Sequence, residues 1–430
     1  MGKELSTYRP PREATNVPAL PPPIEEPTGE LALRQALALA LARNPELAAF
    51  SWNVRIGEAR QLQAGLYPNP EASVGVENVA GSGEFRGTRE AETTLQLSQL
   101  VLLGGKRSKA IEEARLSRDL AAWDYETVRL DVFSRTARDF VEVLAAQQQL
   151  TLTEELVRLA EQVAQAVQER VNAAKSSRVE LTRAKVALDL ARIDRDQAQR
   201  ALTAARQRLS ANWGNPQPKF GQVVGNLRDL PAVPSLEELN RRLDRNPELA
   251  RWATELEQRR AALKLEQSRA MPDLTVGAGY RRLSGPEENA LVGIVSIPLP
   301  LFNRNQGNIR EAEFRLARAG EEQRVAEVRV RTALGQAWQT YDSARATLDS
   351  LRSNVLPGAQ QAYQTANEYY QQGRFSFLEV LDAQRTLFTA RAQEIRALSE
   401  YRQAVNEIER LAGEALGDAT TNSTASHSQP

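Results

Sequence analysis

The chain has 430 residues, and its 55 Lys+Arg are balanced by 55 Asp+Glu, so the formal net charge is zero. A nucleic-acid binder shows a basic excess, which this chain lacks. There is no cysteine, and the one histidine is His427, in a polar tail. Disulfides, thiol chemistry, His/Cys metal centres and a Ser–His pair are left without residues to build them. The composition reads as a non-enzyme without cofactor or metal site.

No apolar run reaches the roughly 20 residues of a membrane helix. The chain opens Met1-Gly2-Lys3 and then turns Pro-rich, with Pro10, Pro11, Pro18, Pro21, Pro22, Pro23 and Pro27. It reads as a mature chain behind a removed secretory signal. Residues 1–30 are expected as an extended arm.

A helix pair is predicted over 31–66, broken at Asn44-Pro45 because proline suits the first turn of a new helix. Two strands follow, over 71–79 and 92–101. Ala72, Val74 and Val76 alternate with Ser73, Gly75 and Glu77, and Leu95 and Leu97 alternate with Thr94, Gln96 and Ser98. This period of two marks a strand with two different faces.

After the turn Leu103-Gly104-Gly105-Lys106-Arg107 no proline occurs until about 215. Leu152, Leu156, Leu159, Val163 and Ala166 step by 4, 3, 4 and 3, the spacing of a coiled-coil seam. A helix from 106 to 171 would be on the order of 100 Å long at 1.5 Å per residue. A long hairpin is expected over 106–213, turning near Asn172 to Ser177. Ser177 followed by Glu180 reads as a capping box for the return helix.

The pattern is then written again. Arg43-Asn44-Pro45-Glu46-Leu47-Ala48 recurs as Arg245-Asn246-Pro247-Glu248-Leu249-Ala250. Pro70-Glu71-Ala72-Ser73-Val74-Gly75 is answered by Pro272-Asp273-Leu274-Thr275-Val276-Gly277, and Ser177-x-x-Glu180 by Ser376-x-x-Glu379. Ordered matches of this kind mean two structural repeats, 31–213 and 236–415, joined by a Pro/Gly-rich segment over 214–235. In the second repeat the helix pair falls near 236–270, the strands near 273–282 and 289–298, and the hairpin over 305–415, turning near Gln372 to Ser376. The strand over 289–298 is apolar on both sides, so its register stays open. Pro357 should kink the outgoing helix or mark a break in it. Residues 416–430 read as a disordered tail.

The fold class is therefore mainly α with a small β part, in two tandem repeats of helix, strand, strand and long helical hairpin. Four strands of about ten residues match a bilayer crossing. Four cannot close a barrel, and an open sheet edge is not tolerated in lipid. Eight strands from two copies would be filled by their own side chains, so a pore favours twelve from three. The set Ser73, Gly75, Glu77, Thr94, Gln96, Ser98, Thr275, Gly277 and Gly279 is small and polar, as a water-filled lumen requires. The competing reading is a soluble coiled-coil scaffold, which has no use for two matched pairs of alternating strands.

The doubled order, the two Asn-Pro-Glu openings and the turn Gly373-Arg374-Phe375-Ser376-Phe377-Leu378-Glu379-Val380-Leu381-Asp382-Ala383-Gln384 make the chain resemble the TolC-like outer membrane factor family over about 31–415. Leu103-Gly104-Gly105-Lys106-Arg107 looks like the heavy-metal efflux (CzcC/CusC-like) branch. The resemblance implies a homotrimer with a twelve-stranded transmembrane β-barrel in outer membrane lipid and an α-helical coiled-coil barrel in the periplasm. It implies a passive exit duct for metal cations or drugs, working with a periplasmic adaptor (membrane fusion) protein and an inner-membrane pump of the resistance-nodulation-division (RND) class. Many relatives carry an acylated N-terminal cysteine, which this sequence does not have. Carried over by motif, Glu180, Glu379 and Asp382 would line the periplasmic gate, with Arg374 and Arg178 beside them. Gly373 and Phe377 at the tip would meet the adaptor, although local packing equally accounts for apolar residues at a tip. Rings of carboxylates in a constriction attract cations, although capping alone also accounts for Glu180 and Glu379.

Overall fold

The computed structural model describes residues 25–413. Most of the expected arm, 1–24, and the expected tail, 416–430 with His427, lie outside them. The described chain runs β1 Glu30–Ala32, α1 Leu33–Arg43, α2 Pro45–Ala64, β2 Glu71–Glu77, β3 Glu92–Val101, α3 Lys106–Asn172 and α4 Arg178–Ala211. It continues with β4 Gln222–Val224, α5 Leu236–Arg242, α6 Pro247–Arg269, β5 Leu274–Leu283, β6 Glu288–Ser296 and α7 Gln306–Ser350. One π-helical turn, Leu351–Val355, leads into α8 Leu356–Gln371, and α9 Phe377–Ala412 closes the second hairpin.

The duplicated Asn-Pro motif is a joint. Asn44 accepts from Leu47 N–H at 2.9 Å and donates through Nδ2 to the Asn212 carbonyl at 2.8 Å. Asn246 accepts from Glu248 N–H at 2.8 Å and donates to the Leu411 carbonyl at 2.8 Å. Each asparagine thus caps one helix and holds the end of another. The joint stacks α2 end to end with α4 along α3, and α6 with α9 along α7 and α8. The following glutamates repeat the symmetry, with Glu46 paired to Arg135 of α3 at 2.8 Å and Glu248 to Arg329 of α7.

Near the sheet the helices lie side by side as α2–α3–α6–α7; beyond the joint they lie as α4–α3–α9–α8. The face that α3 turns to α4 takes in part of the expected seam and the row beside it: Leu152 is buried, and Leu156 and Val163 pack on clusters that contain Ala191 and Ala184 of α4. Thr153, Val157, Ala160 and Val167 are buried and Ala164 half-buried, whereas Leu159 is half-buried and Ala166 exposed. Both rows keep the 4–3 spacing, and periodicity cannot choose between adjacent rows.

Pro357 marks a change of helix, in the first turn of α8 and directly after the π-helical turn that ends α7. A proline in a helix removes one N–H and crowds a carbonyl, and the π turn just before it absorbs the misfit. The inter-repeat segment is more ordered than a linker. β4 pairs in parallel with β1, Leu31 opposite Val223, and Phe220 and Leu227 are fully buried in the main core. Three-residue strands are too short to show alternation.

The larger sheet has the order β2-β3-β5-β6, antiparallel throughout. One row runs Val74, Leu95, Tyr280, Leu291, and all four side chains are exposed, Leu291 at 89 %. The opposite face carries Ser73, Gln96, Gly279 and, one row on, Gly75, Thr94, Arg281. The register of β6 is thereby fixed, with Val292 opposite Gly279 and Ile294 opposite Gly277 on the polar side. At Gly279 an added Cβ would lie 2.8 Å from the Leu95 carbonyl oxygen, so glycine keeps this face low.

Candidate channel site: the hairpin tips and the sheet mouth

Both hairpins turn by the same device. Ala174 N–H reaches the Val171 carbonyl at 3.0 Å and Lys175 N–H the Arg170 carbonyl at 2.8 Å. Gly373 N–H reaches Tyr370 at 3.0 Å and Arg374 N–H Tyr369 at 2.8 Å. This double bond pattern needs a left-handed residue at the turn. It is Gly373 at φ 75° in one tip and Ala174 at φ 56° in the other.

The return helices start on serines. Ser177 Oγ accepts from Glu180 N–H at 3.2 Å, and Ser376 N–H donates to Glu379 Oε2 at 2.6 Å. Glu379 is therefore tied to the cap, while Asp382 is exposed on the next turn and Arg178 is exposed beside Glu180. Arg374 does not reach these carboxylates; its guanidinium lies 5.8 Å from the Tyr369 ring centre. Gly373 is exposed at the extremity.

Phe377 is not a surface residue. It is 1 % exposed and packs with Val167 of α3, Ala184 of α4 and the Tyr370 ring, 5.7 Å away. A helix-start phenylalanine at a tip has no surface signature in sequence, because the groove that receives it comes from the other hairpin. The large apolar side chains exposed at the tips are instead Val179, at 61 %, and its twin Leu378, at 56 %, with Phe375 beside them. A polar link also joins the two tips. Arg170 lies 4.7 Å over the Tyr370 ring and donates to Ser176 Oγ at 3.2 Å. The Tyr370 hydroxyl is buried and meets no hydrogen-bond partner among the described residues.

At the far end of the sheet Arg281 donates to Thr94 Oγ1 at 2.9 Å and to Glu92 Oε2 at 2.9 Å, with Glu77 at 3.8 Å. Glu77, Glu92 and Glu288 share one register row on the polar face. No helix is long and apolar enough to cross a membrane, and no group of three or more His, Asp or Glu suited to a metal ion occurs, both among the described residues.

A family model for outer membrane efflux proteins matches residues 36–215 and 239–414. The chain belongs to the outer membrane efflux protein family. The two matched segments coincide with the two structural repeats. The cobalt-zinc-cadmium resistance protein CzcC of Cupriavidus metallidurans is 37 % identical over 92 % of this chain and 93 % of its own. The pyoverdine export outer membrane protein OpmQ of Pseudomonas putida is 26 % identical over 90 % of this chain and 87 % of its own. A crystal structure of CusC has the same fold, with a TM-score of 0.74, 22 % identity and coverage of 90 % and 92 %. This efflux protein is thus an outer membrane channel protein whose long helices reach into the periplasm, and not an enzyme.

Proposed function

We propose that three copies of this efflux protein close a twelve-stranded barrel in outer membrane lipid and a helical tunnel beneath it. The observation that carries this reading is the alignment of open edges. β2 and β6 are the unpaired edges of the sheet, α2 and α4 flank the β2 side of the helical wall, and α7 and α8 flank the β6 side. Backbone groups of an edge strand cannot stay unpaired in lipid, and twelve strands leave a lumen where eight do not. The helical flanks carry apolar stripes to match. Trp52 and Ile56 on α2, and Val186, Leu190 and Ile193 on α4, are exposed on one flank; Phe314, Val325 and Val328 of α7 are exposed on the other. Val186, Leu190 and Ile193 step by 4 and 3, the spacing of a seam awaiting a partner helix.

In this reading the Val74, Leu95, Tyr280, Leu291 face meets lipid and the Thr94, Gln96, Arg281 face meets water. Glu180, Glu379 and Asp382 form threefold carboxylate rings at the periplasmic entrance, with Arg178 and Arg374 nearby. Val179, Leu378, Phe375 and Gly373 form the surface for a periplasmic adaptor, which couples the duct to an inner-membrane RND pump. The cargo is metal cations, supported by the resistance role printed in the name of CzcC and by the acidic rings. The test is the oligomer mass in detergent together with conductance in planar bilayers. A three-copy, cation-preferring channel is expected; a monomer without conductance overturns the reading. For cargo, the protein is expected to restore cobalt, zinc or cadmium resistance to a strain that keeps its pump and adaptor but lacks its outer channel.

A further inference from the structure

The lipid-facing stripe does not stop where the sheet stops. The last pair between β5 and β6 is Thr275 with Ser296. Beyond it the chain leaves the strand and turns, and Ile297, Leu299, Leu301 and Phe302 are all exposed, Phe302 at 90 %. Pro298 and Pro300 alternate with them, so every second backbone donor is missing and the segment cannot extend a regular ladder. At the same helix-proximal end of the sheet Leu66 and Tyr67 precede β2, and Met271 precedes β5; all three are exposed. Together they make an apolar collar one level below the strands.

Cations stand against this collar. Lys106, Arg107 and Lys109 fill the first turn of α3, which carries no acidic residue. Basic groups at the positive end of a helix dipole are unfavourable, so an external anion would relieve them. Lys106 is neutralised by Asp273 at 2.7 Å. Arg107 is not paired with a carboxylate: its Nε donates to the Gly65 carbonyl at 2.6 Å and its guanidinium lies 3.9 Å over the Tyr67 ring. Lys109 Nζ donates to the Gly104 carbonyl at 3.0 Å, and exposed Arg304 donates to the Pro300 carbonyl at 3.3 Å. Three cations therefore keep donors free beside exposed apolar side chains. The exposed carboxylates nearest in the chain are Glu112, which is paired with Arg115, and Glu311, which is paired with Arg315, so neither neutralises the three cations.

We infer that this collar is a binding surface for anionic phospholipid in the periplasmic leaflet of the outer membrane. Leu299, Leu301, Phe302 and Tyr67 sit at the acyl boundary, and Arg107, Lys109 and Arg304 hold the headgroup phosphates. Aromatic and basic side chains favour this depth because one end is apolar and the other wet, and each basic group near an anionic surface strengthens the attraction. Continuity with the lipid face of β6 selects a lipid over a protein partner, and the sign of the charge selects an anionic headgroup. The inference rests on the barrel reading above.

The experiment is thermal melting of the purified full chain in detergent micelles doped with phosphatidylglycerol, with phosphatidylcholine, or with inorganic phosphate alone. Phosphatidylglycerol is expected to raise the melting midpoint by several degrees, and the other two to leave it nearly unchanged. Arg107→Gln with Arg304→Gln should abolish the difference between the two lipids. Arg304→Gln alone, on an exposed side chain, should reduce it and keeps the test available if the double variant misfolds. Leu299→Ser with Phe302→Ser should weaken the response to phosphatidylglycerol. Equal shifts for the two lipids, a response to free phosphate, or an unaltered preference in the arginine variants would overturn the assignment. Bilayer conductance of the same preparation separates the failures: a conducting channel without lipid preference sinks the collar alone, and a preparation without conductance sinks the barrel.

Discussion

The guanidinium of Arg170, at the tip of the first hairpin, lies over the ring of Tyr370, at the tip of the second, 4.7 Å from its centre. One arginine from one repeat and one aromatic from the other thus join tips that are far apart in sequence. The buried Tyr370 hydroxyl beside them is unsatisfied among the described residues, so the joint is held by ring and guanidinium and not by a hydrogen bond through that oxygen.

Removing this contact should loosen one hairpin against the other. Arg170→Ala and Tyr370→Leu are each expected to speed amide exchange at Asn172 to Ser177 and Gln372 to Phe377. A double-mutant cycle should return a coupling of roughly 0.5–2 kcal/mol, the range of a cation–π pair. Exchange unchanged from wild type in both variants would mean the tips are held elsewhere.

Ala174 occupies a left-handed position that Gly373 fills in the twin tip. An L-residue with a Cβ is disfavoured there by roughly 1–2 kcal/mol, and glycine returns part of that through unfolded-chain entropy. Ala174→Gly should therefore steady the first tip by about 0.5–1 kcal/mol, and Gly373→Ala should weaken the second by a similar amount. Local exchange rates at the two turns are the measurement.

Glu379 and Asp382 can be told apart. Glu379→Ala removes the carboxylate bound to Ser376 N–H and should cost about 1 kcal/mol of helix start. Asp382→Ala leaves the cap intact. If both line the entrance, both variants widen conductance or weaken cation preference in planar bilayers, and only the first shows a frayed α9. A change in Glu379→Ala alone would assign the effect to capping.

Glu26 should give the lower end of the stability profile a handle. Burial pushes its carboxyl up, but hydrogen bonds from Trp213, Asn215, Lys219 and Phe220 outweigh burial and hold it below the usual 4.5. A carboxylate depressed in the folded state contributes stability that is present above its unfolded value and is lost as pH falls through the folded one. Wild type should lose stability on acidification below about 4.5, and Glu26→Gln should be less stable at neutral pH and flatter in that window. Parallel melting profiles from neutral to acid pH would reject the role.

The interface seam offers a direct probe of assembly. Leu190→Asp places a charge in the exposed apolar row of α4 and should release monomers without altering the helical content of the chain. An unchanged oligomer mass would remove α4 from the interface.

By itself the sequence determined the two repeats, the long hairpins, the break at each Asn-Pro and the sorting of polar from apolar residues on β2, β3 and β5. These follow from chain-local physics: proline geometry, helical and strand periods, and caps within four residues. The tertiary structure decided how two adjacent apolar rows of α3 share the contact with α4, which side of the doubly apolar β6 is polar, and that Phe377 is core while Val179 and Leu378 are surface. It also decided the pairing of β1 with β4 and of Arg170 with Tyr370. The burial of Phe377 against Val167, the β1–β4 pairing and the Arg170–Tyr370 contact join the two ends or the two repeats of the chain, and a residue's neighbours along the chain carry no record of which distant group fills the space beside it; the facing of α3 and of β6 is set by neighbouring elements, where periodicity allows more than one fit.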